Sequence, residues 1–562
     1  MFKNVSVSRR QILAGAAAFA TMTCVPRLGV AAGPAKYRRW NLSDPNCPPR
    51  VIESYKKAIR AMLALPATDP RNWYRYALIH ALDCPHGNWW FLPWHRGYLG
   101  WFERICRELS GDPDFTLPYW DWTKEPRVPK VMFDDVLNPN DNAFIAAVDA
   151  FKGQYEDAIA KASYWAKTNN PDGTVKPSPQ YEQLLNRSIR FPADLWFDIV
   201  DDPRGAMFFK QPNARGLSAA QPDLIIPKAP PEQQSVRVAV SISTILDALA
   251  PRDFVSFASP KSPAHSFSSG FGVIESQPHN HVHNCVGGAY NGTGGFMQAS
   301  MSPADPIFYL HHANIDRLWD VWTRKQLAKK YPILPDGYPV VSGQAPKDGS
   351  DYAKWAAEPF LFFVDAKGNP VKENTAGAYA AIGDFGYDYY PGSGEEVVPA
   401  ALQPPVVAAV PRAPMLATLK TRQVAGTNLT DASVVVPGSL IQQQADPQQR
   451  KLFVSITVDT PPQAHEGLDV FIKRADGTSQ FVATLSTFGR HLTHGPVSFQ
   501  VPLSAAFATL RANQKLEANS ALNIQVMPRV RSTGEHLMGL HGGSTAAQGG
   551  ASEVTAISIQ QL

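Results

Sequence analysis

Six histidines in two triplets, about 200 residues apart, constrain this chain more than any other feature. His80, His86 and His95 form the first triplet, and His279, His283 and His312 form the second. A fold that uses both must bring two distant segments onto one centre. Each triplet offers a metal three neutral imidazoles. Imidazole suits copper, zinc, iron and nickel, whereas carboxylate-rich sets point to magnesium, manganese or di-iron. Neither triplet carries an obvious carboxylate. Copper accepts three nitrogens in both its common oxidation states and leaves room for dioxygen between two metals. A single zinc also accepts three histidines, but one such ion leaves the other triplet unexplained. The pattern predicts a dinuclear, dioxygen-binding site with two copper ions.

The run RNWYRYALIHAL reads as an apolar helix that ends near His80. Cys84-Pro85 breaks it, because proline lacks an N–H and disfavours helix before itself. His86 then falls on a loop. Pro93 stands near the start of a second helix. His95 lies in its first turn, Trp94, Tyr98, Trp101, Phe102 and Ile105 follow at helical spacing, and Gly111 is the expected end. His279 and His283, four apart, share one helix face, with His281 opposite as packing or support. Asp305 is the expected N-cap and Pro306 the first residue of a later helix. His311 and His312 diverge by about 100° on that helix, so at most one faces the same metal. Asp316, one turn on, reads either as the acceptor for an imidazole N–H or as a surface partner of Arg317. Cys84, taken alone, reads as a small buried hydrophobe.

The stretches CPHGNWWFLPWHRGYLGWFERI, LPYWDWT, PHNHVHNCVGG and DPIFYLHHANIDRLW span roughly residues 73–325. Together they closely resemble the type 3 copper proteins: tyrosinases, catechol oxidases and molluscan-type haemocyanins. The resemblance implies that His80, His86 and His95 bind copper A, that His279, His283 and His312 bind copper B, and that His311 supports. It implies a thioether between Cys84 Sγ and His86 Cε1, as in fungal members and unlike many bacterial tyrosinases. It implies that Glu275 and Asn280 orient a water that takes the proton of an incoming phenol. It sets Ala299 at the position of a substrate gate. Near residue 387, GYDY (Tyr387, Tyr389) is similar to the tyrosine motif that closes the family's catalytic part. The implied function is a tyrosinase: hydroxylation of monophenols to o-diphenols and oxidation of these to o-quinones with O2. A catechol oxidase without the first activity and a haemocyanin-like oxygen carrier share the ligands.

The implied fold class is a mainly α catalytic domain, a four-helix bundle around two coppers, over residues 33–394. The Pro/Val/Ala-rich segment 395–429 reads as a linker. Over 430–562, KLFVSITVD, LDVFIKRADGT, FVATLSTF, VSFQVPL and LNIQVMP alternate as short strands and predict an antiparallel β-sandwich. It takes the place of the family's shielding domain and is expected to cover the copper site. The insert 126–250 has no readable function.

Residues 1–32 place Arg9-Arg10 before an Ala-rich apolar stretch, which reads as a twin-arginine export signal and predicts a periplasmic or secreted protein. That stretch is too short to span a bilayer, so no stable membrane insertion is expected. Residues 1–32 carry Lys3, Arg9, Arg10 and Arg27 and no acids, so without them the 53 basic residues fall to match the 49 acidic ones. Such balance excludes a global signature of nucleic-acid binding. The expected partners are O2 and small phenols, and an oligomer is compatible with the sequence. Five cysteines make no disulfide framework. Cys24 falls in the signal, and Cys47, Cys106 and Cys285 leave room for one disulfide.

Overall fold

The computed structural model describes residues 35–169, 174–196, 214–225, 236–288, 295–339, 344–372, 374–399, 415–425, 430–435, 440–441, 444, 450–459, 467–473, 477–486, 488–489, 495–512, 521–528 and 552–562. The histidine-bearing part is mainly helical. Its principal helices are α1 (Pro49–Ala64), α2 (Trp73–Asp83), α3 (Phe91–Ser110), α4 (Asn280–Val286) and α5 (Ile307–Lys329).

Local chemistry sets the ends of these helices. Asn72 caps α2, its side chain accepting the Tyr74 and Arg75 N–H groups, which have no partner inside the helix. α2 stops where Cys84 turns to extended backbone ahead of Pro85. α3 ends at Gly111 with φ 68°, a left-handed cap that a Cβ would strain. α5 starts one residue later than predicted: Pro306 is the cap and Ile307 the first helical residue. Asp305 still accepts the Ile307 N–H at 3.1 Å and is ion-paired with buried Arg215.

Aromatic rings lock α2, α3 and α5 together. Phe102 stacks on Tyr309 at 3.6 Å, Tyr76 on Tyr98 at 4.8 Å, and Trp73 meets Tyr309 at 5.7 Å. Such contacts add to the burial of large apolar area. A short parallel pairing of Tyr37–Arg39 with Tyr387–Tyr389 ties the two ends of this part together. There Asp316 is a buried hub. It accepts from Arg96 Nε at 2.7 Å, Tyr387 OH at 2.6 Å and Tyr389 OH at 2.7 Å, and Arg39 lies 3.6 Å away. Neither sequence reading of Asp316 holds: it orients no imidazole and does not pair with Arg317. The hub requires tyrosines some 70 positions later, which helix periodicity does not show.

The C-terminal part contains two sheets. One has the order Ser479–Leu485, Leu468–Lys473, Ala521–Pro528, Thr430–Val435. The other has the order Gly270–Phe271, Val497–Pro502, Leu452–Asp459, Ser552–Gln561, Met415–Ala425. Val454, Ile456, Ile557 and Ile559 of the second sheet share one core with Val470, Ile472, Ile524 and Val526 of the first. The expected linker is shorter than its composition suggested: residues 415–425 form an edge strand of the sheet. The Pro-rich run stops at Pro414, and the sequence beyond it is free to pair. Gly270–Phe271 belongs to the helical part yet joins the second sheet in parallel with Val497–Pro502, so the two parts share a sheet.

Candidate metal centre

Two buried groups form at the centre of the helical part. His80, Cys84, His86 and His95 make one, and His279, His283, His311 and His312 make the other. Within each group the potential ligand atoms lie within 4.8 Å of one another. His80 comes from α2, His86 from the loop that Pro85 opens, His95 from α3, His283 from α4 and His311 and His312 from α5. His279 ends a wide turn, Glu275–His279, that leads into α4. The groups face each other: His95 stacks on His312 at 4.1 Å with rings 8° apart, and His86 lies 5.7 Å from His279.

One ring nitrogen on each of four histidines is pinned to an oxygen. His80 Nδ1 meets Ser300 O at 2.8 Å, His95 Nδ1 meets Phe91 O at 2.8 Å, and His283 Nδ1 meets Met297 O at 2.6 Å. His279 Nδ1 meets Asn280 Oδ1 at 2.8 Å. These oxygens only accept, so Nδ1 carries the proton and Nε2 presents a lone pair inward. Metal-binding histidines are oriented in this way. His80 Nε2 and His279 Nε2 are buried without a partner, and His283 Nε2 lies 3.0 Å from His312 Nε2. Burial pushes His80 and His279 down to about 3, and His95, His283, His311 and His312 well below their usual range. Neutral imidazoles with orphaned, inward lone pairs are the donor set a pair of copper ions takes.

His311 differs. Trp122 Nε1 can only donate, and it donates to His311 Nδ1 at 3.0 Å. The proton of neutral His311 therefore sits on Nε2, the nitrogen that a metal would need free. Cys84 Sγ lies 3.7 Å from His86 Nδ1 and 3.8 Å from Nε2, so it faces the ring edge that carries Cε1.

The His86 loop is gripped by the segment before α4. Ser268 Oγ donates to His86 O at 2.7 Å, and the Ser269 and Gly270 N–H groups meet Gly87 O at 2.8 and 2.9 Å. Glu275 Oε1 accepts the Gly87 N–H at 2.7 Å, while its Oε2 accepts from Ser259 Oγ at 2.6 Å. Burial pushes the Glu275 carboxyl up to about 8, although those two bonds favour its charged form. Asn280 gives its oxygen to His279 and its Nδ2 to Ser486 O at 3.3 Å. Ala299 lies between Met297 and Ser300, whose carbonyls hold one histidine of each group.

The C-terminal part reaches this centre. Phe488 stacks on His283 at 4.2 Å with rings 20° apart, and it lies 5.7 Å from His279 and 5.8 Å from His86. Gly489 has φ +75°, and a Cβ there would stand 2.5 Å from His86 Cγ. His281 Nε2 and Thr484 O are 3.0 Å apart, and Asn284 Nδ2 donates to Ser486 Oγ at 2.8 Å. Sequence reading missed Phe488, Gly489, Ser268 and Trp122. None of the four carried a local signal, because each acts through a partner far away in the sequence.

Buried, opposed imidazole groups on a helical scaffold define a dinuclear metalloprotein. Residues 65–325 match the family model described as the common central domain of tyrosinase. The spinach (Spinacia oleracea) chloroplastic polyphenol oxidase is 26% identical over 349 residues, covering 57% of this chain and 42% of that protein. The (+)-larreatricin hydroxylase of Larrea tridentata is 30% identical over 305 residues, covering 50% and 41%. A solved latent aurone synthase shares the fold with a TM-score of 0.56 at 18% identity, covering 96% of this chain and 94% of that one. Latent apple tyrosinase gives 0.50 at 17%, covering 94% and 98%. Residues 65–325 thus match the central domain of the type 3 copper tyrosinases and polyphenol oxidases, and the two histidine groups within it fit that family's pair of copper ions. The chain spans less than half the length of the curated relatives it matches, 42% and 41% for the two named here.

The relatives correct the expected location. The spinach, Vitis vinifera and Vicia faba proteins are named chloroplastic, which overturns the reading of a periplasmic or secreted protein. A basic, acid-free, Ala-rich start is common to export signals and organelle transit peptides, so composition alone did not separate them. Residues 1–32 lie outside the described residues, as do His465, His491, His494, His536 and His541. No described helix is long and apolar enough to cross a membrane. Cys47, Cys84, Cys106 and Cys285 take part in no disulfide, so the one allowed by the sequence does not form among the described residues.

Proposed function

We propose that this chain is a copper-dependent phenol oxidase of the tyrosinase kind, converting monophenols to o-diphenols and these to o-quinones with O2. In this reading His80, His86 and His95 hold copper A, and His279, His283 and His312 hold copper B. His311 supports through its bond from Trp122. Copper supplies the dioxygen binding and the electron transfer. The observation that carries a phenolic substrate is the Phe488 ring, stacked flat on His283 at 4.2 Å. It lies against histidines of both groups, 4.2 Å from His283, 5.7 Å from His279 and 5.8 Å from His86, and a phenol ring stacks in the same place.

The protein holds the imidazoles in one tautomer, excludes water and receives the substrate proton. A phenol has a pKa of about 10, so its proton must move before the oxygen can bind a metal well. Glu275 and Asn280 hold the water that takes it. This requires Asn280 Nδ2 to leave Ser486 O, which withdrawal of the C-terminal part accomplishes. Ala299 leaves the copper A side open at the gate position, and Cys84 Sγ is bonded to His86 Cε1.

The helices form the family's four-helix bundle, and the two C-terminal sheets form a β-sandwich that shields the site through Phe488 and Gly489. Two solved proteins described as latent share the fold over at least 94% of this chain, which supports that reading. A second reading, catechol oxidase, is favoured by Glu275: both of its oxygens are engaged and burial keeps its carboxyl protonated at neutral pH. Oxygen uptake with a monophenol and then a catechol, before and after cleavage within 395–415, separates the two. Uptake with catechol alone makes Glu275 and Asn280 structural.

A further inference from the structure

His86 is the only histidine of the first group off a helix, and its loop is held from outside. Asn88 Nδ2 donates to His265 O at 3.1 Å and to Phe267 O at 3.2 Å, and Ser268 holds His86 O. The segment 265–270 therefore fixes His86, and something must fix that segment. His265 does so. Its Nε2 lies 3.1 Å from Asp83 Oδ1, and its Nδ1 lies 2.5 Å from Glu358 Oε1. The Gln183 side-chain amide, from the insert, also packs against Nε2, and turned by 180° it presents its accepting oxygen there.

Ionised carboxylates only accept hydrogen bonds. A ring with a carboxylate at each nitrogen must donate from both, so His265 is an imidazolium. Burial opposes that charge, but Asp83 and Glu358 outweigh burial and raise the pKa of the ring. Arg187, also from the insert, faces Asp83 and donates to Cys84 O at 2.8 Å. Two carboxylates and two cations thus balance in one buried cluster. The second oxygen of Asp83 accepts from Trp94 Nε1 at 2.9 Å, and the Trp94 ring lies 5.8 Å from His80 and 5.0 Å from His95. The cluster touches both sides of the first histidine group, and among the described residues none of its hydrogen bonds goes to the second.

We propose that His265, clamped between Asp83 and Glu358, is a positioning residue for copper A: it sets the His86 loop and controls copper retention at that site alone. The insert, through Gln183 and Arg187, completes this clamp. The inference rests on the reading that the first group holds a copper ion.

The test uses the full copper-loaded chain. Wild type, His265→Gln and Glu358→Gln are dialysed against graded chelator, and bound copper and the electron paramagnetic resonance signal are measured. In His265→Gln, retention at one site weakens about 10- to 100-fold. Chains left with a single Cu(II) then show a mononuclear signal that a coupled pair lacks. Glu358→Gln, at a position whose side chain is 20% exposed, keeps its shape, removes one charge and shifts retention in the same direction by less. It carries the test if His265→Gln does not fold. Tyr55→Phe, which loses a 2.8 Å bond to Pro306 O elsewhere, lowers thermal stability and keeps both coppers. Two coppers held as in wild type by both clamp variants, or equal loss from both sites, overturns the proposal. A wild-type chain that binds no copper pair refutes the phenol oxidase reading instead.

Discussion

Removing the Phe488 ring from the uncleaved chain tests the shielding account. The ring stacks on His283 of the second group and lies 5.8 Å from His86 of the first. Burying an aromatic side chain stabilises by about 1.5–3 kcal/mol, and a stacked aromatic pair adds about 0.5–1.5 kcal/mol. Phe488 is only half-buried, so the closing contact is worth about 2 kcal/mol, which corresponds to about a 30-fold shift between closed and open forms. Phe488→Ala should therefore raise kcat/KM for a catechol by about 30-fold in the uncleaved chain, measured with an oxygen electrode. Gly489→Ala should activate in the same direction, because its Cβ would stand 2.5 Å from His86 Cγ and push the loop outward. Neither substitution should matter once the C-terminal part has been cut away. If Phe488→Ala leaves turnover unchanged while clean removal of that part activates, the ring is not the plug.

Three further outcomes follow from the site. A digest of the native chain should contain the Cys84–His86 peptide lighter by one pair of hydrogens by mass spectrometry, and Cys84→Ser should abolish that species. Asp316→Asn should destabilise the fold by about 3–5 kcal/mol, because it unbalances buried Arg96 and Arg39. Burial opposes the Asp316 charge, yet Arg96, Arg39 and two tyrosine hydroxyls hold its carboxyl below the ordinary 3.8. Its stabilisation is therefore present above the unfolded value and lost as pH falls through the folded one, a loss the Asn variant should lack in acid unfolding. Glu275 has the opposite sign. Its folded value is about 8 against an ordinary 4.5, so the copper-free chain should lose stability as pH rises across that window. Glu275→Gln should flatten this slope in thermal melts.

The sequence made the centre legible because its chemistry is local. Cys84-Pro85 ends α2, Gly111 ends α3, and the spacing of His279 and His283 places both on one side of the α4 approach. Adjacent His311 and His312 posed a choice, and only the Trp122 indole, 189 positions away, fixes the tautomer that sets them apart. The same limit applies to Asp316, whose partners Tyr387 and Tyr389 lie 71 and 73 positions away. Residues 415–425 looked like the tail of a Pro-rich linker because their partner strand is Ser552–Gln561, at the far end of the chain. Phe488 could not be found from spacing, since nothing in a strand-end Phe-Gly shows what lies across from it. Period and capping are written in neighbouring residues, whereas what a side chain meets across the fold is not.

The most direct test is oxygen consumption by the copper-loaded chain, cleaved within 395–415, with a catechol as the only added reductant. The account predicts two coppers bound per chain and sustained uptake that stops when the copper is removed and returns when it is restored. Reversible oxygen binding without turnover, or no copper pair at all, would contradict it.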